Sequence, residues 1–224
     1  MANYKTHLSV GVFFGIIGAI LSCFFLFGGH YILNMLIIIF VSVGSILPDL
    51  DSDESIPFKI VFWFFSILGG LALFIFLQKN GYLGASERWA LSLIFLFFIR
   101  FVVGKIFMRF TSHRGMFHSI PAGLIFGLLC FYFLDTLRLS AEYSLILSFA
   151  LFLGYISHLI LDEIYAGVNF RGIFFIPKKS LGSALKFFSG SQSANTFTYF
   201  ILSILLFFLW PKVNPEIFRA LFGL

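Results

Sequence analysis

Histidines and carboxylates, the side chains best suited to holding metal ions, are concentrated in four short strings of this sequence. The strings cover residues 4–7, 47–54, 112–119 and 154–163. Imidazole nitrogens and carboxylate oxygens together bind zinc or manganese, and such ions can activate water for hydrolysis. The four strings therefore indicate a metal site, provided that the fold brings them to one place.

The histidines differ in how strongly their spacing points to metal binding. His158 and Asp162 are four residues apart, so on a helix they face the same way and can share a cation or a hydrogen bond. His113 and His118 are five residues apart, and an arginine and a glycine follow the first of them, which suits metal ligation beside an anion clamp. Taken alone, His7 is weak evidence for metal binding, because a histidine at a helix start is more often a capping or interfacial residue.

The second string is acidic, with Asp49, Asp51, Asp53 and Glu54 inside six residues. Close carboxylates repel one another unless cations or hydrogen-bond donors compensate them, so the string is either a solvated loop or a cation-binding one. It is not an EF-hand loop. Counting from Asp49, the sixth residue is Glu54 where glycine is required, and the twelfth is Ile60 where glutamate is required.

The composition is that of a membrane protein. Of 224 residues, 60% are hydrophobic and 11% are charged, and the mean hydropathy is +1.01. Soluble domains carry about 45 to 50% apolar and about 25% charged residues, so an ordinary soluble enzyme is excluded. A helix needs about 20 apolar residues to cross about 30 Å of hydrocarbon, and the chain has about seven such runs. They are predicted at residues 8–27, 31–47, 58–78, 89–108, 120–137, 143–163 and 197–211.

These runs predict an all-α fold: a polytopic transmembrane helical bundle of about seven spans, with residues 1–224 forming a single integral-membrane domain. The longest connection, residues 164–196, combines aromatic residues with Lys178 and Lys179. It is predicted to be an interfacial or re-entrant segment that could form a lid, with an ordered connector as the alternative. Cys23 and Cys130 fall inside predicted spans, where we expect them to be packing residues.

Charge placement predicts the orientation of the bundle. If the spans alternate, ten of the 15 lysines and arginines lie on the face that holds the N-terminus, which predicts that this face is cytoplasmic. The basic excess then follows from topology, and no motif indicates nucleic-acid binding. All four strings fall on this same face, whereas His30 and Asp135 fall on the opposite one and are excluded from the site.

Convergence of the strings gives seven candidate metal ligands: His7, Asp49, Asp51, His113, His118, His158 and Asp162. One tetrahedral zinc ion does not need so many, so we predict two divalent ions, zinc or manganese, about 3.5 to 4 Å apart. Arg114 is the candidate for binding a phosphate or a developing oxyanion, because its guanidinium offers two parallel donors. Asp53 or Glu54, whichever is not a ligand, is the candidate general base.

These strings, in this order, resemble the YdjM-like family, described as LexA-regulated membrane-bound metal-dependent hydrolases. The matching elements are His7, residues 47–51, residues 113–115 with His118 and Ser119, and Ser157 with His158 and Asp162. The resemblance spans nearly the whole chain and implies a bacterial or archaeal inner-membrane protein with hydrolase activity. Other membrane hydrolases fit less well, since the sequence has no HExxH and has Phe152 where membrane phosphatidate phosphatases carry an arginine.

Three functions fit these features. The preferred hypothesis is metal-dependent hydrolysis at the cytoplasmic face, with a phosphoester of a membrane lipid or lipid-linked carrier as substrate, because the site would lie at headgroup level. A divalent-metal transporter or metal sensor could use the same ligands, but the first, third and seventh spans carry no ionisable residue in mid-span for a transport path. The third hypothesis is a structural polar cap that fixes the helix ends.

Overall fold

The computed structural model describes residues 3–25, 30–51, 55–81, 83–110, 115–167, 170–171, 174–175 and 185–222. The helices are α1 (Tyr4–Phe25), α2 (Tyr31–Gly44), a 3-10 helix (Leu47–Asp51), α3 (Ile56–Asn80), α4 (Ala85–Phe97), a π-helical turn (Phe98–Val103), α5 (Gly104–Phe110), α6 (Ile120–Thr136), α7 (Ala141–Gly167) and α8 (Gln192–Phe222). Two short antiparallel strands, β1 (Phe170–Arg171) and β2 (Phe174–Phe175), follow α7.

The structure confirms the prediction of a helical membrane bundle. Five helical segments in the described residues are long and apolar enough to cross a membrane: Tyr4–Phe24, Ile56–Asn80, Ala85–Met108, Ala141–Gly167 and Gln192–Trp210. The two other apolar helices, α2 and α6, are shorter. At about 1.5 Å per residue they extend about 21 and 26 Å, slightly less than the hydrocarbon thickness of about 30 Å. These seven helical segments occupy the positions of the seven predicted spans.

Three local features differ from the predictions. The fourth span is interrupted by the π-helical turn, and the short hairpin after α7 was not predicted. The last helix begins at Gln192 and continues to Phe222, beyond the predicted end at residue 211, even though two prolines each remove a backbone hydrogen bond. Much of the predicted interfacial segment lies outside the described residues, so its re-entrant shape stays a prediction.

The helices form two compact units. The first contains Met1–Pro48 and Arg114–Leu224, and the second contains Asp49–His113. The single domain over residues 1–224 stays a prediction.

In the first unit, α7 is the central helix, packing against α1, α2, α6 and α8. Glycines bring α7 and α2 into direct backbone contact. A Cβ atom added to Gly154 would lie 2.1 Å from the carbonyl oxygen of Val41, and one added to Gly44 would lie 2.1 Å from that of Leu151. Only glycine fits at this crossing, which is how membrane helices without bulky side chains approach closely.

The second unit consists of α3 to α5. Ser55 begins α3, since its hydroxyl accepts a hydrogen bond from the backbone N–H of Phe58 at 3.1 Å and donates one to the carbonyl of Asp49 at 2.7 Å. Arg100, carried by the π-helical turn, has its guanidinium 5.4 to 5.6 Å from the ring centres of Phe58, Trp63 and Phe101. Aromatic faces therefore stabilise this cation within an apolar helix.

Candidate metal centre

His7 lies in the first turn of α1. This segment is held by a cap before His7 and by a close helix contact one turn after it. Asn3 caps the helix, accepting hydrogen bonds from Thr6 N–H at its side-chain oxygen (2.9 Å) and from His7 N–H at its carbonyl (3.1 Å). One turn further on, a Cβ atom on Gly11 would lie 2.1 Å from the hydroxyl oxygen of Ser45. The helix start is thus held against the end of α2, and the His7 side chain is only 1% exposed.

His158 and Asp162 extend from one face of α7 and meet His7. The Nε2 atom of His7 lies 3.3 Å from one carboxylate oxygen of Asp162, and the Nε2 atom of His158 lies 4.0 Å from the other. The two imidazole rings are stacked, with centres 3.6 Å apart and planes inclined by 12°. One coordinating atom from each of the three residues lies within 4.8 Å of the other two, so a single ion could contact all three.

The orientation of the His158 ring is set by the backbone of the neighbouring helix. Its Nδ1 atom lies 2.7 Å from the carbonyl oxygen of Ser45. A carbonyl oxygen can only accept a hydrogen bond, so Nδ1 carries the proton and the neutral ring presents the lone pair of Nε2 to the cluster. Metal-binding histidines are commonly held in this way by a hydrogen bond from the other ring nitrogen.

Burial makes this cluster costly unless something compensates its charge. His7, His158 and Asp162 are each 1% exposed. Among the described residues, neither ring nitrogen of His7 takes part in a hydrogen bond. A buried polar atom without a hydrogen-bond partner costs about 1 to 3 kcal/mol. A divalent cation would satisfy the nitrogen and the carboxylate together, so the residues present fit a metal ion.

His118 lies beside the cluster, in the turn before α6. It is 1% exposed, and its ring centre is 5.4 Å from that of His158, with the planes inclined by 67°. Ser119 caps α6, accepting a hydrogen bond from Ala122 N–H at 3.4 Å, and its hydroxyl donates to the carbonyl of Met116. The hydroxyl of Tyr155 donates to the carbonyl of Phe117 and so ties this turn to α7.

The end of the long connection also contacts this turn. The backbone N–H of Ile120 donates a hydrogen bond to the carbonyl of Lys186 at 3.1 Å. The hydroxyl of Tyr199, on α8, donates to the carbonyl of Phe187 at 2.9 Å. The described part of this connection is therefore ordered against the start of α6, close to His118.

The structure thus brings together four of the predicted site residues: His7, His118, His158 and Asp162. Asp49 belongs to the 3-10 helix at the start of the second unit, is partly exposed, and stays a predicted ligand. Asp51 ends the same helix, and its side chain lies outside the described part of the chain. The predicted ligand His113 and the predicted catalytic residues Arg114, Asp53 and Glu54 also lie outside the described residues.

Other polar residues near the strings have their own contacts. The hydroxyl of Ser157 donates to the carbonyl of Gly154 at 2.7 Å, one turn back along α7. The two residues excluded from the site by topology both have partners elsewhere. His30 lies 3.3 Å from the hydroxyl of Tyr143, and Asp135 accepts a hydrogen bond from Lys212 at 2.5 Å.

Sequence reasoning missed two contributors to the centre. One is the Ser45 carbonyl that orients His158, which has no signature because every residue carries a carbonyl. The other is the set of glycines that lets the backbones approach. A signal existed for these, since Gly11 follows His7 by four residues and Gly154 precedes His158 by four. Each glycine therefore lies one helical turn from a predicted ligand and on the same side of the helix as that ligand.

A multi-pass membrane protein with a buried cluster of two imidazoles and one carboxylate, suited to a divalent cation, is the class that this fold and centre define. The family model for the YdjM inner membrane protein matches residues 1–222, and the chain belongs to that family. The resemblance seen in the four strings is thereby confirmed, as is the expectation of a multi-pass inner-membrane protein. Comparison with curated proteins and with solved structures gave no match.

Proposed function

We propose that this protein is a metal-dependent hydrolase that cleaves a phosphoester of a lipid or lipid-linked substrate at the cytoplasmic face of the inner membrane. The observation that carries the proposal is the buried convergence of His7, His158 and Asp162, with ligand atoms within 4.8 Å of one another. Two nitrogens and one carboxylate with further coordination positions open form the donor set of catalytic zinc sites, whereas structural zinc sites are closed by four protein ligands.

His7, His158 and Asp162 would hold the first ion, with zinc or manganese the metals that suit this donor set. A second ion would draw its ligands from the remaining predicted set: Asp49, Asp51, His113 and His118. When bound, such ions supply Lewis-acid chemistry, neutralising charge on phosphoester oxygens and making water more acidic. The chain's own contribution begins with Ser45, whose carbonyl keeps the lone pair of His158 directed into the centre.

The proposed reaction is the attack of water on phosphorus. The water oxygen forms a new P–O bond, the P–O bond to the lipid alcohol breaks, and the alcohol leaves with a proton that water has given up. Asp53 or Glu54 would take the proton from water and return it to the leaving oxygen. Arg114 would pair with the non-bridging phosphate oxygens, for which its planar fork of donors is suited.

The cytoplasmic placement rests on the basic residues, which are more numerous on the face that holds the four strings. A centre at the first turn of α1 and near the end of α7 would lie at the level of the lipid headgroups, where a phosphoester is found. This placement supports a membrane lipid as substrate over a solute that diffuses in water.

The experiment uses the full-length protein purified in detergent. Bound metal is quantified by mass spectrometry for the wild type, for His158→Ala and for Asp162→Asn, with His30→Ala as the matched control at the other end of α2. Release of phosphate or phosphorylated headgroup from phospholipids and prenyl phosphates is then measured with and without chelator. We expect metal and chelator-sensitive turnover in the wild type and in His30→Ala, and neither in the other two variants.

Two results would overturn parts of the proposal separately. Full metal content in both His158→Ala and Asp162→Asn would refute the metal centre. Normal metal binding without cleavage of any ester would refute the hydrolase, and chelator-sensitive ion flux in proteoliposomes would then favour a transporter that uses the same ligands.

A further inference from the structure

An apolar groove runs along the first unit beside the candidate metal centre. It has a volume of about 980 Å³ and is lined by side chains of α1, α2 and α7. This volume is at the upper end of the range of about 300 to 1,000 Å³ typical of small-molecule sites. Apart from Gly18, Ser22 and Ser157, every lining residue is a large or small apolar one. Such a lining fits hydrocarbon and offers almost nothing to a polar ligand.

The groove is open toward the surrounding lipid. Its floor is formed by Ile37 and Val41, which are 4% and 3% exposed. Its rims include Leu21, Phe149 and Leu153, which are 51%, 57% and 45% exposed. A hydrocarbon chain could therefore enter from the side and lie between α1 and α7.

One end of the groove adjoins the metal ligands. Among its lining residues, Ser157 is next to His158 in sequence, and Leu161 is next to Asp162. A chain lying in the groove would thus have its end beside the buried carboxylate. The groove therefore reaches the stretch of α7 that carries two of the three proposed ligands.

The length of the groove selects among hydrocarbon chains. Along α7 it extends from Leu145 to Ile164, about 28 Å at 1.5 Å per residue. On α1 its far rim includes Leu21, about 21 Å along the helix from His7. One leaflet is only about 15 Å deep, so the acyl chains of a phospholipid whose headgroup lay at the centre would end short of Leu21. A longer single chain would continue past the bilayer midplane.

We infer that this groove binds the hydrocarbon chain of a polyisoprenoid phosphoester, with the phosphate end at the centre formed by His7, His158 and Asp162. The inference rests on the proposed function for the identity of the reacting group. It goes further by assigning the hydrocarbon part of the substrate. That part is one long chain that reaches beyond one leaflet, and not a pair of acyl chains.

The test blocks the far end of the groove. Leu21→Trp narrows the groove past the midplane, and Ile20→Trp is its matched control, because Ile20 is 49% exposed at nearly the same depth but is not among the lining residues. Leu153→Trp blocks the groove about 8 Å from His158. Binding of undecaprenyl phosphate, farnesyl phosphate and dioleoyl phosphatidic acid to the full-length proteins is measured by native mass spectrometry, and hydrolysis is measured separately.

We expect Leu21→Trp to weaken binding of undecaprenyl phosphate about tenfold, which corresponds to about two methylene groups left unburied. Binding of farnesyl phosphate and phosphatidic acid should not change. Leu153→Trp should weaken all three, and Ile20→Trp none. Equal effects of Leu21→Trp and Ile20→Trp on the long chain, or no preference of the wild type for the long chain, would overturn the inference.

Binding and turnover separate this inference from the proposed function. Chain-length-dependent binding without hydrolysis would leave the groove assignment standing and refute the hydrolase. Hydrolysis of all three phosphoesters at rates insensitive to Leu21→Trp and Leu153→Trp would support the hydrolase and refute the groove assignment. Unchanged metal content in the three tryptophan variants is the check that each has folded.

Discussion

Replacing Gly154 by alanine should move the proposed metal ligands apart without altering any of them. The added methyl would lie 2.1 Å from the carbonyl oxygen of Val41 and 2.8 Å from its carbon. Backbone atoms of a packed helix cannot rotate away, so α2 and α7 must separate by about 1 Å. The 2.7 Å hydrogen bond from His158 to Ser45 would then lengthen to about 3.7 Å, beyond the range of a hydrogen bond.

Two effects of this displacement can be given magnitudes. Overpacking a close helix contact costs about 1 to 3 kcal/mol of unfolding free energy. Loss of the hydrogen bond that orients a metal-binding histidine typically weakens metal affinity by about 10- to 100-fold. Gly154→Ala should therefore lower both the thermal stability of the metal-free protein and the affinity of the centre for zinc.

The assay is competition of the purified protein against a zinc chelator of known affinity, with thermal unfolding followed in parallel. Gly127→Ala is the matched control, because a methyl there lies 3.4 Å from the Cβ of Phe152, an ordinary contact, and should even stabilise α6 slightly. If Gly154→Ala binds zinc as tightly as the wild type while remaining folded, the backbone contact does not position His158 and the reasoning is wrong.

Three further changes have expected outcomes that thermal unfolding in detergent can check. Asp162→Asn removes the carboxylate that lies beside the two buried imidazoles. The stabilisation by added zinc, about 2.7 kcal/mol at a hundredfold excess over the dissociation constant, should then disappear, and a persisting zinc-dependent shift would contradict this. Tyr155→Phe removes the hydroxyl that donates to the carbonyl of Phe117 and should lower the free energy of unfolding by about 1 to 3 kcal/mol. Tyr199→Phe removes a hydrogen bond that is exposed and should lower it less. Equal losses in the two variants would contradict the expectation that burial sets the cost. Gly81→Ala places a methyl on a residue with φ of 68° and should destabilise the end of α3 by about 1 kcal/mol, so an unchanged unfolding midpoint would show that the left-handed cap contributes nothing.

The positions of the helices could be predicted because a membrane span needs only sustained hydrophobicity, which the sequence displays directly. What interrupts a span is harder to predict. Arg100 shows why: it lies in the π-helical turn, and its guanidinium is 5.5 to 5.6 Å from the ring centres of Phe58 and Trp63, which lie on another helix. Contacts between helices leave no local pattern in the chain.

The candidate site was predictable to the extent that topology and helical periodicity determine it. His158 and Asp162 share a face because they are four residues apart, and His7 joins them because six spans, an even number, separate the start of the first span from the end of the sixth. The stacking of the rings and the hydrogen bond to Ser45 were not predictable. The hydrogen bond depends on how closely α2 approaches α7, and this distance is set by two glycines that a hydrophobicity pattern treats as neutral.

Charge links the number of metal ions to the acidic string rather than to the histidines. Imidazoles are neutral ligands, so the cluster of His7, His158 and Asp162 offers one negative charge. One divalent ion there leaves a single net positive charge, which a phosphoester anion can neutralise. Two divalent ions on the same cluster would leave three net positive charges. That charge is costly in a buried site unless further carboxylates bind the ions. The prediction of two ions therefore depends on Asp49 and Asp51, and a protein lacking those carboxylates should bind one.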